Sequence, residues 1–431
     1  MARTAGTDVT KNDSVWSSPG FTPTMIAVAS AFGAWSILLP VLPLAVLDSG
    51  GTAALAGATT AVFMAVTVVT QMCTPFLLRK FGYNPVMVVA ALMLGVPALG
   101  HLLGMDAWIV LLFSALRGIG FGAITVAESA LIAELVPVRL LGKATGLLGV
   151  FVGLAQMLLL PSGLFLADHF NYETVYVVAA AIALVAGVMC LRIPRIKAAS
   201  TKDDEAVAGG APQVSMWKLV LVPALAVTTV SMSFGAVSTF LPAAVREIDP
   251  STGAVIGGFM LSIVGASIMT ARYVSGAIAD RTGKPGQLMI ISEIIALLGM
   301  VLMSVTVALH LSVWLLVVAA ILFGSGFGAA QNEALLSMFH RLPRSKVSEA
   351  SAVWNIFYDA GTGLGSIVYG AVVASYFYHG AFAVGAAVIV LGILWTAADA
   401  FVGRHRVSEY DNIKTRLRQV RVRARRPRSG E

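Results

Sequence analysis

Long apolar runs, broken by short polar or basic stretches, recur along the whole 431-residue chain. Twelve are read, approximately at 23–47, 52–74, 85–104, 107–132, 144–167, 174–192, 218–242, 254–278, 287–308, 311–337, 350–376 and 381–402. Each holds about 20 residues or more, enough for a helix rising 1.5 Å per residue to cross a hydrocarbon core of roughly 30 Å. The pattern predicts an all-α membrane protein with twelve transmembrane helices. The second and third runs are separated by Arg79-Lys80 and a Gly-Tyr-Asn-Pro segment, which predicts a tight helical hairpin.

Composition agrees with that reading. The chain is 58% hydrophobic and 12% charged, against roughly 25% charged residues in soluble domains. Lys and Arg stay on the cytoplasmic side of short loops, and an N-terminus placed inside leaves 26 of the 29 basic residues there. Arg117 and Arg272 then fall inside spans, and Arg246 alone lies outside. Both termini are expected in the cytoplasm of a multi-pass protein of the plasma (inner) membrane. The first apolar run is too long for a signal peptide and is read as a permanent helix. Cys73 and Cys190 are assigned to packing, and neither a disulfide framework nor a metal site is indicated. The net charge of +7 draws heavily on the tail arginines from Arg416 to Arg428. Beside a final transmembrane helix, such a segment adheres to anionic lipid headgroups rather than to nucleic acid.

The polar stretch 193–217 divides the chain into six spans and six. The expected units are an N-terminal tail (1–20), a six-helix bundle (21–192), this linker, a second six-helix bundle (218–402) and a basic tail (403–431). The halves repeat: Arg117-Gly-Ile-Gly-Phe-Gly-Ala123 reappears as Phe323-Gly-Ser-Gly-Phe-Gly-Ala329, and the same offset places Lys143 on Glu349. Two pseudo-symmetric six-helix bundles suit alternating access, in which similar units rock about a shared midplane site. Gly146, Gly149 and Gly153 share a face of the fifth helix, and Gly361, Gly363 and Gly365 crowd the eleventh. Small residues let helices approach closely in lipid, either for plain packing or at a moving interface.

Between the eighth and ninth spans the chain reads Gly276-Ala-Ile-Ala-Asp280-Arg281-Thr-Gly283-Lys284-Pro285. This resembles the loop signature of the major facilitator superfamily. Gln331-Asn332-Glu333 and Trp354-Asn355-x-x-Tyr358-Asp359-Ala-Gly361 resemble its multidrug and sugar-efflux branch, the proton antiporters of twelve spans. The resemblance implies the major facilitator fold and transport of a small molecule. Two departures stand out. In the first half the equivalent loop has Pro75 for the glycine and Arg79 for the acid, with Gly82 retained. The fifth helix carries Leu160-Pro161-Ser162-Gly163, only part of the element expected of export-type members. In the superfamily the loop acid sits at the positive N-terminus of a helix from the other half, where Arg79 would be repelled. Glu349 starts the eleventh helix, however, and Lys143 the fifth. Two cross-half latches of opposite polarity are therefore expected, Arg79 with Glu349 and Asp280 with Lys143. The alternative is four solvated loop charges.

Ionisable groups inside spans are costly and mark a path or a structural pair. Arg117 replaces Phe323 of the repeat, Asp359 replaces Gly153, and Arg272 replaces Gln71. Arg117, near mid-bilayer, is read as a cavity residue or a buried packing pair. Asp359 lies roughly 13 Å from the inner end of its helix at 1.5 Å per residue. A carboxyl taken out of water favours its neutral form, so Asp359 is read as the proton-coupling residue or else as a hydrogen-bonding group that never titrates. Glu128 and Glu333 are expected to pair with the Arg79 and Arg281 loops, with Arg272 joining the second network. Glu293 has no evident partner. Trp35, Ser231, Phe234, Gln331, Asn332, Asn355 and Tyr358 are candidate cavity residues for an amphipathic solute, or interhelical hydrogen-bonding groups.

No nucleotide-binding motif occurs and no cofactor is called for, so a gradient is the expected drive. One charge moved through 100 mV supplies about 2.3 kcal/mol. The expected function is proton-coupled export of a small organic molecule by a monomer, with a proton-linked uptake permease or a non-transporting sensor or scaffold as alternatives. Enzymatic activity is not expected.

Overall fold

The structure is a computed structural model that describes residues 14–199 and 215–402. The tail arginines, Arg3, Lys11 and most of the linker lie outside the described residues.

In the first half, α1 (Phe21–Leu38) continues through a turn into α2 (Val41–Asp48), and α3 (Ala53–Phe81), α4 (Tyr83–Gly95), α5 (Ala107–Leu135), α6 (Leu141–His169) and α7 (Tyr172–Leu191) follow. The second half comprises α8 (Met216–Ile248), α9 (Pro250–Thr282), α10 (Met289–Ala308), α11 (Val313–Arg341) and α12 (Val347–Val402). α12 is two helices joined at a kink, where Tyr376 and Phe377 leave helical geometry. Eleven helical segments among the described residues are long and apolar enough to span a membrane. With α12 counted as two limbs, the chain makes twelve spans.

Local chemistry sets several ends. The Thr52 hydroxyl accepts from the Leu55 amide to cap α3, and Asn171 Oδ1 accepts from Thr174 N at 2.7 Å to cap α7, as short polar side chains do at orphaned helix amides. The hairpin between α3 and α4 is tighter than expected. Gly82 alone forms it, with φ +90°, a conformation that side-chain-bearing residues avoid. Asn84 and Pro85 are already helical. Asn84 Nδ2 instead donates to the Cys190 and Ile193 carbonyls at 2.8 and 3.0 Å, closing the end of α7. Cys190 is buried as packing requires, whereas Cys73 is exposed on the helix surface.

The repeat seen in sequence is also a repeat of packing. Gly118 and Gly122 of α5 press against the Phe63 and Thr67 carbonyls of α3, and their equivalents Gly324 and Gly328 of α11 press against the Val264 and Ile268 carbonyls of α9. Close backbone approach replaces the hydrophobic drive that is missing between helices in lipid. The halves meet along two seams, α3 and α5 against the first limb of α12, and α6 against α9.

Candidate transport path and the contacts between halves

The contacts described between the halves lie toward the end of the bundle that carries Arg79, Lys143, Arg281, Lys284 and Arg344, here called the basic end. On the first seam Arg79 Nη1 stands 2.6 Å from Glu349 Oε1, and Lys346 Nζ lies 3.2 Å from the same oxygen. Deeper along it, Gln71 Nε2 donates to Asp359 Oδ2 at 2.7 Å. Asn355 Nδ2 donates to the Thr125 carbonyl at 3.1 Å, and Ser351 Oγ donates to the Val126 carbonyl at 2.8 Å. Glu134, at the end of α5, pairs with Arg344, whose Nε donates at 2.8 Å. No symmetry-related pair flagged it, because the repeat carries His340 and Val138 at the equivalent positions.

On the second seam Asp280 accepts the amides of Gly142 and Lys143 at 2.7 and 2.8 Å. The expected contact is therefore made by the Lys143 backbone, not by its ammonium. A carboxylate at a helix N-terminus finds orphaned amides and the positive end of the dipole together. The amides can be reached because Gly142 and Gly276 touch, and a Cβ on either would collide with the carbonyl oxygen of the other. Farther along, Gly146 and Gly149 rest on Arg272, and Gly153 rests on Met269. A groove of about 120 Å³ beside this contact is lined by Arg139, Asp280, Arg281 and Gly283.

The intramembrane charges are arranged differently from the expectation. Glu128 does not reach the Arg79 loop; it faces Arg272 from the opposite half, and its Oε2 has no hydrogen-bond partner among the described residues. Arg272 belongs to this group rather than to the Arg281 loop. Its Nη1 donates to Gln331 Oε1 at 3.1 Å, and its guanidinium lies over the Trp354 ring, 5.9 Å from the centroid. Trp354 Nε1 donates in turn to the Gln331 carbonyl at 3.1 Å. Glu333 takes the Leu288 amide at 3.2 Å, holding the loop backbone in place of the Arg281 side chain.

Arg117 is 4% exposed. Its Nε donates to the Leu94 carbonyl at 3.2 Å, where α4 gives way to a 3-10 turn. It stacks over Phe63, 5.6 Å from the centroid, and lines a small cleft with Trp35, Thr59 and Ser114. Trp35 stacks on Phe121 at 4.9 Å. In the other half a stacked column runs from Phe234 to Phe327 at 4.8 Å, on to Tyr358 at 6.0 Å and to Trp354 at 5.2 Å. Ser231 and Asn332 do not line a cavity. Both are 0% exposed, Ser231 beneath Gly361 and Asn332 bonded to Ser275 at 3.3 Å.

One signal in the sequence locates the aromatic pairs without a structure. Phe32-Gly-Ala-Trp-Ser-Ile-Leu-Leu-Pro40 repeats as Phe234-Gly-Ala-Val-Ser-Thr-Phe-Leu-Pro242. This makes Phe32 the equivalent of Phe234, just as Phe121 is the equivalent of Phe327. The pairs are equivalent in space as well, with Phe32 and Phe121 5.5 Å apart.

Two repeated helical bundles that span a membrane and meet through a polar seam have the architecture of a secondary transporter. Residues 24–345 match the profile of the Major Facilitator Superfamily, and the chain belongs to that superfamily. It is similar to the multidrug resistance protein MdtG of Escherichia fergusonii, 26% identical over 373 residues that cover 84% of this chain and 90% of the relative. MdtG of Salmonella typhimurium is similar to the same degree, 26% identical with 84% and 91% covered. The fold matches the proton:xylose symporter XylE bound to 6-bromo-6-deoxy-D-glucose, with TM-score 0.73, 14% identity, and 88% and 95% of the chains covered. It also matches the human organic anion transporter MFSD10 (TETRAN), with TM-score 0.69, 16% identity, and 88% and 99% covered.

Proposed function

We propose that this transporter is a monomeric, proton-coupled exporter of small organic molecules, set in the plasma (inner) membrane with both termini and the basic end facing the cytoplasm. The observation that carries the reading is the Gln71–Asp359 hydrogen bond, a part-buried carboxyl that ties one half to the other at 2.7 Å. An amide N–H bonds a carboxylate more strongly than a neutral acid. Protonation of Asp359 from the outer side weakens the tie and lets the basic end open. Loss of the proton to the cytoplasm, with a solute loaded, restores it. The inward proton gradient then drives solute outward. Arg79 with Glu349, and Asp280 with the amides at 142 and 143, act as the latches of the closed end, with Gly276, Arg281, Gly283 and Lys284 shaping the loop.

The relatives named multidrug resistance proteins support export. The aromatic faces of Trp35, Phe234 and Tyr358, with the Arg117 guanidinium, suit a flat, lightly polar solute. The test is proton flux in proteoliposomes challenged with a panel of amphipathic compounds. Asp359→Asn is expected to bind solute but to lose solute-driven proton movement. If it couples like the wild type, the assignment of Asp359 fails. Solute accumulating in inverted vesicles with an acidic lumen indicates export. Solute leaving them establishes the proton-linked uptake permease instead. Wild-type phenotypes in both Asp359→Asn and Arg117→Ala would point to a sensor or scaffold.

A further inference from the structure

Glu293 takes no part in the seams between the halves. It lies in the second turn of α10 and is 0% exposed. Its Oε1 accepts from Thr396 Oγ1, on the second limb of α12, at 3.2 Å. Its Oε2 is buried with no partner among the described residues. Gly392, one turn before Thr396, leaves a gap between helices at this point. A Cβ there would stand 3.0 Å from Glu293 Oε1 and would collide with Thr229 Oγ1 of α8. The Thr229 hydroxyl already donates to the Ala226 carbonyl at 2.8 Å, so toward the gap it offers only lone pairs. Three helices thus surround the acid with a single donor and an acceptor, which suits a carboxylic acid and leaves a carboxylate undersupplied.

The charged groups on the elements packed against Glu293 are engaged elsewhere or stand at helix ends. Glu333 of α11 holds the Leu288 amide. Arg341, at the end of α11, pairs with Asp399 of α12 at 2.6 Å. His340 is on the same turn as Arg341, and Lys218, Arg246 and Glu247 belong to the ends of α8. A lone carboxylate among helices in hydrocarbon, without a cation, is costly. Next to it lies a cavity of about 190 Å³ at the basic end, lined by Thr396, Ile290 and Pro223 and by Gln287, Arg341 and Asp399. This is room for several waters beside polar partners. Thr396 belongs both to the cavity wall and to the Glu293 hydrogen bond.

We propose that Glu293 is a second proton-binding site, enclosed within the C-terminal bundle and exchanging with the basic side through Thr396 and this cavity. The proton sits on the carboxyl and faces Thr229 across the Gly392 gap. The site shares no contact with Asp359 and does not depend on the assignment of that residue.

Infrared spectroscopy of the full-length protein in proteoliposomes tests it. The carbonyl stretch of a protonated carboxylic acid is expected at neutral pH, retained in Asp359→Asn and lost in Glu293→Gln. A band unchanged in Glu293→Gln overturns the proposal. Thr396→Val leaves the acid in place, so it reports even if the glutamine variant fails to fold. It is expected to move the band by removing the one hydrogen bond, and an unmoved band counts against the site. An alkaline jump on the basic side alone is expected to remove the band, and the same jump on the opposite side to leave it. The reverse result overturns the access route.

Discussion

The two seams between the halves solve one problem with different materials. On the α3–α12 seam, side chains do the joining: Arg79 with Glu349, Gln71 with Asp359, and Asn355 with the Thr125 carbonyl. On the α6–α9 seam the backbone does it, with Gly142 against Gly276, Gly146 and Gly149 against Arg272, and a carboxylate capping two amides. A seam of charged side chains can be loosened by salt, a proton or a competing ligand. Glycine apposition has no such handle and responds mainly to shape, which leaves the Asp280 carboxylate as the charged group that joins this seam. The repeat has thereby put a side-chain contact on one seam and a backbone contact on the other: Asp359 sits where the other seam has Gly153, and Arg79 where it has Asp280.

The most damaging way to break this comparison is to give the backbone seam a side chain. Gly276→Val would collide with the Gly142 carbonyl. Overpacking of this kind costs about 1–3 kcal/mol or more, so a lowered thermal midpoint and at least a tenfold loss of transport are expected. Asp280→Ala comes next, because it strips two amides of a charged acceptor. Replacing a side chain that caps a helix N-terminus by alanine costs about 0.5–2 kcal/mol. The variant should be more readily labelled at cysteines placed in the basic-end seam, with Asp280→Asn intermediate.

The other seam should yield a smaller, salt-dependent effect. Arg79 is 34% exposed and Glu349 17%, and a half-exposed pair is worth about 0.2–1 kcal/mol. Arg79→Glu should weaken basic-end closure by a few-fold, and the double exchange Arg79→Glu with Glu349→Arg should recover most of it. The recovery should fade at high ionic strength. A double exchange no better than the single would remove the pair from the latch. Smallest of all, Lys143→Ala should leave closure and stability within about 0.5 kcal/mol, as for surface substitutions, because the contact there is with its amide. A large effect of Lys143→Ala in the same labelling assay would show that the ammonium matters after all.

Spans, the repeated halves and the unusual polarity of the Arg79 loop were all legible in the sequence, since each follows from local hydrophobicity or from comparing one half with the other. Asp359 was legible for the same reason, as a charge where the repeat has glycine. Partners were not. Glu128 was expected at the Arg79 loop and faces Arg272, and Glu333 was expected at Arg281 and holds backbone. Hydropathy gives the depth of a residue in its helix but not the direction it points around the helix axis, and about 100° per residue separates a loop contact from a cross-half one. The aromatic pairs lay within reach, in the repeat of 32–40 at 234–242, whereas the Glu134–Arg344 pair has no counterpart in the other half to disclose it.

What the sequence determined by itself is the membrane-spanning, two-halved carrier, because lipid demands long apolar helices and duplication leaves matching residues at fixed offsets. Tertiary structure alone decided that Asp280 binds amides rather than an ammonium, that Gln71 is the partner of Asp359, and that Glu293 lies enclosed beside a cavity. Each depends on rotations and close approaches of helices distant in the chain. Those are set where small residues permit contact, and no single helix records them.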